Sequence, residues 1–217
     1  MKKYEFTKET INVFGKTLHR IRAARDFSNV RAGDFGGFIE SESNLSHDDD
    51  AWVYGDAQVY GNAQVYDDAQ VRGNAQVSGN AWVYGDAQVY GNARVSGNAQ
   101  VSGDAQVSGD AWVYDDAQVY GNARVSGNAW VGGDAQVSGD ARVCESRDIY
   151  WISCIGSRND TTTFVRNAND SINVVCGCFH GTIDEFAAAV TKTHGDNEHA
   201  QAYRHAIEIA KLRIRSE

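Results

Sequence analysis

The sequence predicts a mainly-β solenoid, a stack of very short strands and corners, followed by a small α+β domain at its C-terminal end. Three observations carry that reading. From Asp50 to Glu145 the chain divides without a gap into 16 hexads of the form (D/N)-A-(Q/W/R)-V-x-(G/D). No proline occurs in the 217 residues, which suits a chain built largely from hydrogen-bonded strand. After Glu145 the six-residue period gives way to strand-like and then helix-like patterns.

Within a hexad, Ala and Val stand two residues apart, so an extended chain points both to one side and the residue between them to the other. Gly with Asp or Asn supplies the corner, because these residues tolerate unusual backbone angles. One hexad cannot bury its Ala–Val face. Stacked coils can, at ~1.5–3 kcal/mol per buried Val. Read from Val, the repeat V-x-G-(D/N)-A-x resembles the hexapeptide repeat of left-handed parallel β-helices, triangular prisms with three hexads per turn. The resemblance covers all 16 hexads and implies about five coils. The segments "GKTLHRIRAARDF…AGDFGGFIESESNLSH" and "GCFHGTIDEF…THGDN" resemble those of phage- and prophage-encoded hexapeptide-repeat proteins. That likeness implies a capped scaffold of phage type.

A solenoid exposes strand edges at both ends and needs lids. Residues 1–43 are expected to form an N-terminal β cap, with strands around Tyr4–Phe6, Ile11–Phe14 and Thr17–Ala23 and then a Gly-rich lead-in, "AGDFGGFIE". Residues 44–145 form the prism, with Ile39 and Leu45 falling where later hexads place Ala. Residues 146–217 are expected to form a βββαα domain. Its strands are "IYWISCIG", "TTTFVRN" and "INVVCGCF". Thr182 with Glu185 opens one helix through Val190, and a second helix runs from Glu198 to Ile214.

The net charge of −9 sits in the repeat, where residues 48–143 hold 13 Asp against 4 Arg. That argues against nucleic acid as a partner. No apolar run has the length of a membrane span, and the start lacks the apolar core of a signal peptide, so the expected location is cytoplasmic, that of the bacterial host if the gene is a phage's. The four cysteines then read as reduced thiols.

With three hexads per coil, residues 18 apart stack into columns. One outer column reads Gln58, Gln76, Arg94, Trp112 and Trp130, with Tyr114 beside it. Another holds Gln64, Trp82, Gln100, Gln118 and Gln136, flanked by Tyr66, Tyr84 and Tyr120. The third carries Trp52, three Gln, Arg124 and Arg142. The simplest account of the aromatics is ladder stacking. The sharper ones are a partner face, since Tyr and Trp favour contact surfaces, or a ligand site in which Arg94 lies over Trp112. A corner column with five Asp in six, Asp50 to Asp140, reads first as turn chemistry and second as a cation site.

Many hexapeptide prisms are acyltransferases with a histidine base between coils. Here no histidine falls between Asp50 and Glu145, and His47 is the nearest. The repeat is therefore expected to be non-catalytic and to need no cofactor. "CGCFH" places Cys176, Cys178 and His180 at alternate positions, with Cys154 as a fourth weak metal ligand, although core cysteine is the plainer reading. The basic run holding Arg20, Arg22 and Arg25 reads as a solvated strand edge, an acidic-partner contact or a phosphate contact. Together these point to a binding protein, expected as a homo-oligomer with a trimer favoured. It would sequester a nucleotide-like ligand or block a host protein. A polymer-forming component and a degenerate acyltransferase are the alternatives.

Overall fold

Burial sorts the hexads as their pattern requires. Every Ala and Val of the sixteen is at most 1 % exposed, whereas the residue between them, Trp52 apart, is half-buried or exposed. In this computed structural model, which describes residues 2–214, each hexad supplies one two-residue strand. These are β4 to β19, from Trp52–Val53 (β4) to Arg142–Val143 (β19). Pairing is parallel with an 18-residue register, Gln58 to Gln76 and Arg94 to Trp112 to Trp130. The strands therefore form three parallel sheets around one apolar core. Glycine holds most corners at positive φ; Asp67 and Asp115 occupy the same conformation, φ 55° and 57°, which Asp tolerates better than most residues.

The solenoid begins earlier than expected and has six coils. Strand β3 (Phe35–Ile39) pairs Ile39 with Val59, and Leu45 bridges to Val65. Ile39 and Leu45 thus occupy Val positions, not Ala positions. Two extra residues in the corner between Leu45 and Val53 absorb the shift, and with Val53 they complete an irregular first coil. Gly37 makes this possible, since a Cβ there would lie 2.5 Å from the Ala57 carbonyl oxygen.

The cap is a long hairpin, β1 (Tyr4–Val13) and β2 (Lys16–Ala23), which extends one sheet antiparallel beyond β3. The two strands expected within residues 4–14 are one, with a register irregularity between Phe6 and Thr10. Trp52, expected on the outer face, is buried beneath this cap, edge-on to Tyr4 and Phe27.

At the other end β20 (Ile149–Ile155), β21 (Asp160–Arg166), β22 (Ile172–Cys176) and β23 (Phe179–Thr182) form an antiparallel sheet. Ile149 and Val165 plug the prism core, while the rest of the domain has its own core against helices α1 (Ile183–His194) and α2 (Glu198–Arg213). The domain is ββββαα, not βββαα. Gly177, at φ 58°, turns the chain between Cys176 and Phe179 and splits the expected third strand in two. The Thr182–Glu185 capping box forms, with Thr182 N–H donating to Glu185 Oε2 at 2.8 Å. Helix α1 runs four residues beyond Val190, until Gly195 ends it. No described helix is long and apolar enough to cross a membrane.

Candidate binding face

Parallel register brings Arg94, Trp112 and Trp130 onto consecutive strands of one sheet, so three residues 18 apart in sequence become neighbours. The indoles meet edge to face at 5.6 Å, and Tyr114 packs on Trp112 at 4.9 Å. Gly132 admits the Tyr114 ring; a Cβ there would fall 2.1 Å from its Cζ. Trp112 tilts back to donate its Nε1–H to Ser96 Oγ at 2.9 Å, while Trp130 stays 52 % exposed. Arg94, Trp112 and Trp130, together with Asn74, Gln76, Asn92 and Asp110, line a groove of about 530 Å³.

Arg94 does not lie over Trp112. Among the described residues its guanidinium has no ring contact, ion pair or side-chain hydrogen bond, because Trp112 is drawn away by Ser96 and its neighbouring rings. The result is a guanidinium without an ion-pair contact, one coil from an indole pair and in the same groove as the Asp110 carboxylate. Beyond Trp130 the surface continues into a second groove of about 450 Å³, where Tyr150, Trp151 and Arg213 of the C-terminal domain join Tyr114. Arg213 stands 5.7 Å from the Tyr150 ring. The repeat pattern gave no sign of these three, since they arrive by domain docking. The first glycine of "AWVGGD", at a position where every other hexad carries a side chain, is a readable sign of the Tyr114 seat.

The second aromatic column is a separate surface. Tyr66 and Tyr84 stack at 5.0 Å with their planes 3° apart, and Trp82 is exposed beside them. Tyr120 stands two coils on, its hydroxyl 3.5 Å from Gln136 Oε1. Burial raises the Tyr66 pKa above its ordinary value.

The basic run does not form a free phosphate cradle. Arg20 pairs with Glu9 at 3.3 Å and with Asp56 of the prism at 3.4 Å, Arg22 bonds Glu5, and Arg25 lies against the Phe27 ring. The acidic prism contact is thus made within the chain. Nor do the weak metal candidates converge. The Gly177 turn buries Cys176 against Thr162 and Tyr203 and leaves Cys178 and His180 exposed, while Cys154 is exposed at a positive-φ position on β20. Among the described residues no group of three or more metal-ligating side chains forms.

His47 stacks on Tyr4 at 4.2 Å, accepts the Lys3 N–H at Nδ1, and sits 3.8 Å from Glu42. Burial lowers its pKa, and it lines none of these grooves.

Residues 57–73, 75–87, 87–103 and 117–133 match the family model described as YdcK Beta solenoid repeat. Comparison with curated proteins gave no match. The matched segments all lie within the prism and the stacked coils agree with them: the chain is a repeat β-solenoid protein.

Proposed function

We propose that this is a non-catalytic binding protein of phage type. Its ligand face is the Trp112–Trp130 groove, and its ligand a planar, anionic small molecule of nucleotide-like chemistry. The observation that carries the reading is the Arg94 guanidinium, free of any ion-pair contact among the described residues, beside an indole pair in a groove of about 530 Å³ whose far wall holds Asp110. A ring stacked on Trp130 gains roughly 1–3 kcal/mol, and a guanidinium is the group best shaped to grip a phosphate. The amides of Asn74, Gln76 and Asn92 supply polar contacts at the groove wall. Holding such a ligand without converting it is how the protein would act, and removal of a host defence signal from the cytoplasm is the setting we assign to it.

The test is titration with nucleotides followed by tryptophan emission, with mass spectrometry of the recovered ligand. Saturable quenching with unchanged ligand is expected. It should weaken about tenfold in Trp130→Ala and in Arg94→Gln. Conversion of the ligand would overturn the non-catalytic reading. Silence, coupled to a trimer that dissociates on Trp130→Ala, would assign the face to self-association instead.

A further inference from the structure

The fifth position of the hexad forms its own columns at the prism corners, and one of them has a gap. It reads Tyr66, Tyr84, Ser102, Tyr120. Where two tyrosines follow each other, one coil holds one ring, at 5.0 Å and with nearly parallel planes. Ser102 is too short to continue the stack. Between Tyr84 and Tyr120 this leaves a slot of about 250 Å³, lined by the two rings, Ser102, Gln100 and Gln118. Two coil rises of roughly 4.8 Å set the rings about 10 Å apart, the space of a single flat group.

The chain shows what fits such a slot. At another corner the same hexad position reads Tyr54, Arg72, Tyr90, and there Arg72 Cζ lies 5.3 Å from the Tyr54 ring centroid. The guanidinium of that column rests on one ring, that of Tyr54. The lining of the slot holds no charged side chain; Asp104, two residues past Ser102, faces the groove around the corner together with Arg124 and Arg142. A flat cation is favoured by the two tyrosine walls and by the Gln100 and Gln118 amide oxygens, of which Gln100 Oε1 also accepts the Tyr84 hydroxyl at 3.5 Å.

We propose that the Tyr84–Ser102–Tyr120 slot binds a guanidinium group, supplied from outside the chain, in the manner that Arg72 occupies its own column. The site is on a different sheet from the Trp112–Trp130 groove and is independent of it.

The experiment titrates the full chain with N-acetyl-arginine amide, its neutral citrulline isostere, and the peptide Gly-Gly-Arg-Gly-Gly, reading Tyr84 and Tyr120 ring signals by NMR. Saturable shifts are expected with both arginine probes, with the citrulline compound about tenfold weaker. Equal affinity for the two arginine probes identifies the free group as sufficient; tighter peptide binding identifies a protein-borne arginine, and both uphold the site. Tyr120→Ala should lose about tenfold. Ser102→Arg, which copies the Arg72 column, should abolish binding while melting at or above the parent temperature, so loss of fold is not the cause. The proposal is overturned if the rings do not respond to tens of millimolar arginine probe. It is equally overturned if citrulline binds as well or Ser102→Arg leaves binding intact.

Discussion

Asn and Asp serve equally well as corner residues, yet along the prism they are not interchangeable. Asn62 Nδ2 donates to Asn80 Oδ1 at 3.0 Å, Asn80 to Asn98 at 2.9 Å, and Asn98 to Asp116 at 2.9 Å. A second ladder runs Asn74 to Asn92 to Asp110, and Asn122 donates to Asp140. Each ladder ends on a carboxylate, which only accepts, so the terminal Asp fixes the direction of every amide before it. Asn80→Asp would leave two acceptors facing each other at Asn98 and should cost about 1 kcal/mol in urea unfolding. Asp116→Asn still accepts and should change stability by less than about 0.5 kcal/mol. Lys3 is the other residue whose chemistry is set by placement. Its ammonium is fully buried and donates to the carbonyls of Asp48, Asp49 and Ala51. Desolvation, then the nearby Arg25, lowers its pKa from 10.5 to about 8. Below pH 8 it is charged folded and unfolded; between 8 and 10.5 only the unfolded chain keeps the proton, so stability rises with pH in that window. From pH 7.5 to 9.5 denaturant titration should show a rise of ~2 kcal/mol that is missing in Lys3→Met.

At the scale of elements, what could be read from sequence is what repeats. The hexads declare their own burial, and sorting by eighteen places Arg94, Trp112 and Trp130 side by side. Irregular segments depart from the expected pattern where one local feature outweighs the period. The two extra residues before Val53 move Ile39 and Leu45 by one side-chain pair, and Gly177 turns an apparent strand into a hairpin. Trp52 looked exposed because nothing local announces that the cap folds over it. Tyr150, Trp151 and Arg213 reach the candidate face only through docking of a domain with a different period. Strand β3 shows how narrow such an irregular junction is. Gly36 would place a Cβ 2.6 Å from Ile21 and 2.7 Å from Trp52, and Gly37 would place one against Ala57 and Val53. Gly37→Ala should therefore cost ~3 kcal/mol or more, since backbone and core cannot both yield, and the Trp52 emission should shift to the red as the cap lifts.

Across the whole molecule the two ends of the stack leave backbone groups for the lids to satisfy. Gln58 N–H donates to Ala75, Tyr60 N–H to Val77 and Asn62 N–H to Gly79, each to the coil that follows, and the pattern repeats along the prism. A parallel ladder also carries bonds in the opposite sense, so each end presents both donors and acceptors. The lids cover part of them. The N-terminal lid brings donors: Lys3 to Ala51, Asn44 to Gly61 and Ala63, and the Tyr4 hydroxyl to Leu45. The C-terminal lid brings acceptors: Thr163 Oγ1 takes the Gln136 N–H at 3.0 Å, and Asp148 Oδ2 takes those of Cys144 and Glu145 at 2.8 and 2.9 Å. Asp148 is itself buried and lies 3.4 Å from Arg166, so Asp148→Ala orphans two amides and removes one partner of a mostly covered guanidinium. Such a loss costs about 2–4 kcal/mol. In a stack where each coil touches only its neighbours, that cost should stay near the end where it is incurred. Hydrogen exchange of Asp148→Ala should accelerate at Cys144, Glu145 and the last coil, while Val77, Val83 and Val89 in the third coil keep their protection. Uniform acceleration through all six coils would instead show that lid and prism unfold as one unit.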